Sequence, residues 1–284
     1  MLDEAVAAVE EKAEAFLRAL AAGAAEPIPS ERTAIVLAHP DDETIGIGGQ
    51  LGRLQDVTLV HVTDGAPRNG AAQRHGFATA DAYAAARRQE LRAAMALAGI
   101  PDKALVSLGI ADQEASLHMP AIARRVAALY RERRLELLVT HAFEGGHPDH
   151  DATALAVHAA AALLRRDGFE PALIEMPLYH LGSSGWTVQR FVAAAGPVET
   201  EIHLTDEQRR RKQAMLDAHG TQRDVLSMVA TDAERFRPAP AYDFGALPNE
   251  GRLLYEGYGW GMTGPRWQAL AAAALQELGL GAVL

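Results

Sequence analysis

Two short stretches of the chain concentrate side chains that bind cations and move protons. In "AHPDDETIGIGG", residues 38–49, His39, Asp41, Asp42 and Glu43 come before the first glycine and directly behind the apolar run "TAIVL". In "HAFEGGHPDH", residues 141–150, His147 and His150 bracket a proline and an aspartate. A glycine-rich turn after a strand ordinarily cradles a phosphate, but three carboxylates repel an anion, so the cluster reads as a cation site. The 284-residue chain has no cysteine. Imidazole and carboxylate are then the available metal ligands, which favours zinc or a similar divalent ion. A catalytic zinc site takes three such ligands and keeps one position open for water. His39, Asp42 and His150 supply that number. Asp41 is left to take a proton from the bound water and His147 to stabilise an oxyanion, the arrangement of a metal-dependent hydrolase.

These residues lie about a hundred positions apart, so the fold has to bring them together. From Thr33 onward, β-rich runs ("TAIVLAH", "DVTLVHVTDG", "KALVSLG", "LELLVTH", "PALIEMPLY") alternate with helical segments from about Ile47 to Leu54, Asp81 to Ala98, Met119 to Arg133, and from "HPDHDAT". That order predicts an α/β fold: a Rossmann-like, mostly parallel sheet with helices on both faces. In a doubly wound sheet the first strand lies beside the fourth, and the crevice at that reversal takes the ligand. The first strand ends at His39 and the fourth near His141. Pro148 fits the first helical position, making His147 the cap and His150 a first-turn residue. Ahead of the sheet, Val9, Ala13, Phe16, Leu17 and Leu20 recur at helical spacing and "AAGAAEPIPSE" breaks the pattern. Residues 1–30 therefore read as a helix and linker, and residues 31–284 as one domain with a variable C-terminal segment. Another helix is expected in "TDEQRRRKQAMLDAHGTQ", capped by Thr205.

Neighbouring residues compete for roles. His141 and Glu144 are alternative ligands, ranked below His150 because nothing local fixes their direction. His61 and His180 lie in or at the end of strands and read as structural histidines. Gly46, Gly48 and Gly49 suggest a dinucleotide fingerprint, but that needs glycines directly after the strand, where "HPDDE" stands. Close packing of a helix on the sheet accounts for them better. Arg87 and Glu90 share a helix face, as an exposed ion pair or, for Arg87, as a substrate contact. Trp186 in "LGSSGW" is either buried or stacked on a substrate ring. A metal-bearing domain without catalysis is opposed by Asp41, since binding alone needs no unligated base.

Composition excludes other classes. The net charge is −10 and no basic block is long enough to follow a phosphate backbone, so nucleic acid is not an expected partner. The longest apolar stretch, "ALAVHAAAALL", is too short to span a bilayer, and the N-terminal "MLDEAVAAVEEK" is acidic where a signal peptide is basic. A cytoplasmic protein acting on a small molecule is expected.

"AHPDDE" and "HPDH" together resemble the paired motifs of the PIG-L (LmbE-like) N-acetylglucosaminyl deacetylase family, over about Thr33 to Gln222. The resemblance implies a Rossmann-like fold and a zinc-dependent hydrolase that removes an acyl group, usually acetyl, from an amino sugar or related amine. It implies zinc ligands at His39, Asp42 and His150, a general base at Asp41 and a transition-state stabiliser at His147. "RRQE" is similar to the family's Arg-x-x-Glu segment, with Arg87 contacting substrate. "LGIADQ" is similar to a loop whose acid, here Asp112, binds a sugar hydroxyl, and "KQAMLDAHGTQ" resembles a recurring Lys, His and Gln segment. Mycothiol-pathway deacetylases carry a tyrosine two residues before the first histidine of "HPDH" that helps protonate the leaving amine. This chain has Gly145 there, so that proton falls to Asp41 or His147.

Overall fold

The run Thr33–Leu37 forms β1, buried along its whole length, in the middle of a seven-stranded sheet. A strand covered on both faces has to be apolar throughout rather than alternating. The computed structural model describes residues 2–23, 26–192 and 197–284; Ala24 and Ala25 of the expected linker lie outside them. β2 (Thr58–Pro67) and β3 (Leu105–Asp112) follow on one side of β1, β4 (Leu137–His141) and β5 (Ala172–Met176) on the other, all parallel. β6 (Tyr179–Gly182) and β7 (Gly185–Val188) make a separate hairpin. β8 (Thr200–His203) and β9 (Ala233–Pro238) extend the main sheet antiparallel, giving the order β3-β2-β1-β4-β5-β9-β8. The expected pairing of the first and fourth strands forms, with Thr33 opposite Leu137 and Ile35 opposite Val139.

Helices α1 (Leu2–Ala21), α2 (Asp42–Ile47), α3 (Ala80–Leu97), α4 (Met119–Glu132), α5 (Pro148–Arg166), α6 (Asp206–Ala218) and α7 (Gly264–Leu278) cover the sheet. Successive strand residues point to opposite faces. Ala34 and Val36 of β1 therefore join Val126, Leu155 and Trp267 on one face, and Ile35 and Leu37 join Phe16, Leu20, Leu91 and Met95 on the other. Among the described residues no helix is long and apolar enough to cross a membrane.

One boundary differs from the sequence expectation in a way that matters for the site. The helix expected from about Ile47 begins at Asp42, and only a 3₁₀ turn, Leu51–Arg53, follows it. Asp41 is its cap residue, and Asp42 and Glu43 fill its first turn. Carboxylates are favourable there because the helix start presents unpaired N–H groups and a partial positive charge. The polar motif is thus the first turn of a helix, not a loop before one. A Cβ at Gly46 would lie 2.3 Å from Met176 Sδ and one at Gly49 2.5 Å from Leu204 Cδ1, so these glycines let the segment press onto its neighbours.

Candidate metal centre

At the carboxyl edge of the sheet β1 delivers His39, and the first turn of α5 delivers His150 beside it. His39 Nδ1 is 3.1 Å from His150 Nε2 and 3.4 Å from Asp42 Oδ2, and His150 Nε2 is 3.3 Å from Asp42 Oδ1. Bonds of about 2.0–2.1 Å to a tetrahedral ion require donor–donor edges of about 3.3–3.4 Å. The three residues converge at about that spacing, with Asp42 turning a different oxygen toward each nitrogen. All three residues are buried. Burial alone would push the Asp42 carboxyl up, but His150, His39 and His141 outweigh it and hold it well below the usual range.

The ring of His39 is fixed from behind. Its Nε2 faces Asp149 Oδ2 at 3.3 Å and Asp112 Oδ1 at 3.4 Å, so the proton belongs on Nε2 and the lone pair on Nδ1, inside the triangle. Asp149 is itself held by the backbone N–H groups of Gln113 at 2.6 Å and Ala115 at 3.0 Å. It is the middle acid of "HPDH", and the sequence reading passed over it. Its signal was present: an acid next to a metal-ligand candidate in a helix's first turn is placed to orient a second ligand. Replacing Asp149 by Ala is expected to weaken metal binding by about 10–100-fold. Titration against a competing chromophoric chelator measures this, and an unchanged affinity would remove Asp149 from the centre.

His141, one of the alternative ligands, has its Nε2 lone pair occupied by the N–H of Ala38 at 2.7 Å. Although Asp42, His141 and His150 also converge, that nitrogen has no lone pair left for a cation. The ring instead stacks on His150, 4.5 Å between centroids. Glu144, the other alternative, turns away and accepts from the N–H groups of Leu178 and Val192.

Asp41 and His147 flank the triangle. His147 caps α5 as expected, and its Nδ1 accepts the N–H of Asp149 at 3.1 Å. That leaves Nε2 as the N–H donor. Burial, with His39 nearby, holds the imidazole well below its ordinary value and therefore neutral. Asp41 is buried against Arg87, whose Nη2 lies 2.9 Å from Asp41 Oδ2. Burial raises the Asp41 carboxyl, and Arg87 opposes that.

Arg87 does not form the exposed pair that its helix position allowed. It is 3% exposed, so it forms no surface pair with Glu90. Its guanidinium is engaged by Asp41, by Gly65 O at 2.6 Å and by Pro40 O at 3.4 Å, all within the chain. Glu90 instead accepts from Thr221 N at 2.9 Å and Thr221 Oγ1 at 2.6 Å. Asp112, at the end of β3, turns Oδ1 toward His39 Nε2 at 3.4 Å and His147 Nε2 at 3.8 Å, and Oδ2 toward Arg87 at 3.9 Å.

The segment "KQAMLDAHGTQ" supports the metal loop from beneath. Lys212 donates to Ile45 O at 2.8 Å and to Glu234 Oε1 at 2.7 Å, while the same carboxylate accepts Gly49 N at 2.7 Å. His219 lies 3.7 Å from Glu43, whose other oxygen meets His61 at 3.0 Å. Burial opposes ionisation of Glu43, yet His219 and His61 beside it bring it down to about 2. His61 is thus a structural histidine, as its strand position implied. Trp186 is only half-buried, not sealed in the core.

Comparison with known proteins finds relatives named as deacetylases. A family described as "PIG-L: GlcNAc-PI de-N-acetylase" matches residues 34–161. A probable N-acetyl-alpha-D-glucosaminyl L-malate deacetylase 2 of Bacillus anthracis is 34% identical over 135 residues, 46% of this chain and 59% of that protein. The match therefore spans somewhat more than half of that relative's length. The 1D-myo-inositol 2-acetamido-2-deoxy-alpha-D-glucopyranoside deacetylase of Salinispora arenicola is 27% identical over 253 residues, 74% of this chain and 82% of the relative. Among solved structures, the A40926 pseudoaglycone deacetylase Dbv21 superposes with a TM-score of 0.55 at 21% identity, covering 73% of this chain and 96% of that one. The N,N'-diacetylchitobiose deacetylase of Pyrococcus horikoshii gives 0.53 at 19% identity, covering 81% and 92%. At these identities the structural likeness speaks for the fold.

Proposed function

We propose that the protein is a zinc-dependent hydrolase removing an N-acetyl or other N-acyl group from an amino sugar or related small-molecule amine, a reading supported by the match of residues 34–161 to the PIG-L family. One observation carries the reading. Donor atoms of His39, Asp42 and His150 converge at 3.1–3.4 Å beside an aspartate, Asp41, that is paired with Arg87 instead. The relatives, which are named as deacetylases of N-acetylglucosamine derivatives, support the substrate class.

When bound, zinc supplies Lewis acidity, polarising the amide carbonyl and making water acidic near neutral pH. The chain's own residues do the rest. Asp41 accepts the proton of the attacking water; its pairing with Arg87 orients the carboxylate and keeps it ionised, while burial raises its affinity for a proton. His147 presents Nε2–H to the oxyanion that develops on the carbonyl oxygen. Because position 145 is glycine, the leaving amine takes back the proton that Asp41 acquired. Asp112, buried beside His39 and His147, is assigned to a substrate hydroxyl. Arg87 orients Asp41 and is assigned a contact with the substrate.

A panel of amides tests this: N-acetylglucosamine, its glycosides, larger acylated conjugates and simple N-acetyl amines, each assayed for free amine alongside metal analysis of the same preparation. About one zinc-type ion per chain and amine release from the amino sugars are expected. Release from the large conjugates alone would shift the reading to an amidase of a different substrate. A chain that takes up no divalent ion is not a metal hydrolase.

A further inference from the structure

The two catalytic imidazoles belong to a closed circuit of aromatic rings. Starting at His150, the centroids run 5.0 Å to Tyr179, 4.8 Å to Trp186, 5.9 Å to Tyr258, 5.0 Å to Trp260 and 4.7 Å to His147, which lies 5.3 Å from His150. Tyr179 and Trp186 come from the β6–β7 hairpin, Tyr258 and Trp260 from "EGYGWGMTG" just ahead of α7. Trp186 Nε1 donates to the Tyr258 hydroxyl at 2.6 Å and joins the two segments. Gly259 (φ 65°) and Gly261 (φ 76°) adopt backbone that a residue with a Cβ reaches only with strain, and between them Trp260 stacks on Tyr258.

Rings of this size bury most of their surface on average, and Trp and Tyr left partly exposed are typical of interfaces. These four remain partly exposed, Tyr258 by 46%, while the metal triangle beneath them is buried. They therefore form the rim through which the site meets solvent. An acetyl group asks for almost no room. The rim has to meet the larger part of the substrate, the part that leaves with the amine.

We propose that this aromatic collar is the subsite for the amine-bearing ring of the substrate, a pyranose whose flat C–H face packs on Trp186 and Trp260 while its hydroxyls reach the carboxylate of Asp112. Apolar faces bounded by a polar edge suit Tyr and Trp, which offer the same combination. The assignment rests on the deacetylase reading and extends it to residues outside the family motifs.

Binding tests it separately from catalysis. Of the three tryptophans, Trp267 is fully buried, so a ligand at the collar perturbs the emission of Trp186 and Trp260. N-acetylglucosamine is expected to shift that emission in a saturable way, whereas N-acetylbutylamine, with the same amide and no ring, is not. Trp186→Ala and Tyr258→Ala should each weaken N-acetylglucosamine by about 3- to 10-fold, in KM rather than kcat, with metal content unchanged. Trp186→Phe should restore most of the loss. Equal binding of both amides, or unchanged affinity in both alanine variants, overturns the proposal. So does a change in preference between acetyl and hexanoyl amides with sugar affinity intact, because the collar would then hold the acyl chain. Ring-dependent binding without amine release leaves the collar standing and refutes the hydrolase reading alone.

Discussion

Asp41→Asn is expected to lower turnover by roughly 10²–10⁴-fold, about 3–5 kcal/mol of barrier, while the protein keeps its metal. The reason is positional. Asp41 and Asp42 are adjacent, yet Asp42 oxygens lie 3.3–3.4 Å from the donor nitrogens of His150 and His39, whereas Asp41 Oδ2 is 2.9 Å from Arg87. One carboxylate is in the donor triangle and the other is in an ion pair beside it. Asparagine at 41 keeps the shape and cannot take the proton. Asp42→Asn replaces an anionic donor with a neutral one, so it should lose metal affinity and regain part of its activity in excess zinc. Added zinc should leave Asp41→Asn unchanged. Metal titration and single-turnover rates on the two variants measure both effects. Metal loss in Asp41→Asn with retention in Asp42→Asn would reverse the roles, and full activity in both would mean that "HPDDE" is not the catalytic loop.

Lys212→Met should cost about 3–5 kcal/mol of folding stability at neutral pH. Lys212 and Glu234 are both 0% exposed and 2.7 Å apart. Removing the lysine leaves a carboxylate in the interior with its two neighbours, Ile45 O and Gly49 N, no longer clamped together. Burial already pushes the Glu234 carboxyl up, and Lys212 is what opposes it. Without Lys212 the folded-state pKa rises further above the unfolded one. The folded chain then holds a proton that the unfolded chain gives up, so the variant's deficit grows as pH rises and shrinks in acid. Denaturant unfolding at several pH values measures this. The double change Lys212→Met with Glu234→Leu should recover much of the loss, because no charge remains buried. A deficit independent of pH would point to lost packing instead. Because the clamp holds α2, the single variant should also bind metal more weakly.

Local chemistry determined a good deal of this protein. The apolar run Thr33–Leu37 fits a strand covered on both faces, and Pro148 fits the first position of a helix, which made His147 its cap. Alternation of strand and helix brought the first strand beside the fourth, and with them "HPDDE" and "HPDH". These features were legible because periodicity, caps and turn residues act over a few positions. What the tertiary structure alone decided is which buried polar groups meet. Sequence spacing offered Arg87 either Glu90 or a substrate, and the guanidinium turned inward to Asp41. Asp149 and His39, 110 positions apart, face each other at 3.3 Å, and His141 gave its lone pair to the Ala38 backbone instead of to a metal. A side chain's partner in the interior is set by packing on all sides at once, since a buried charge or lone pair must be satisfied by whatever group the fold brings near. The same holds for the aromatic collar, whose two segments lie some seventy residues apart and meet only where Trp186 donates to Tyr258.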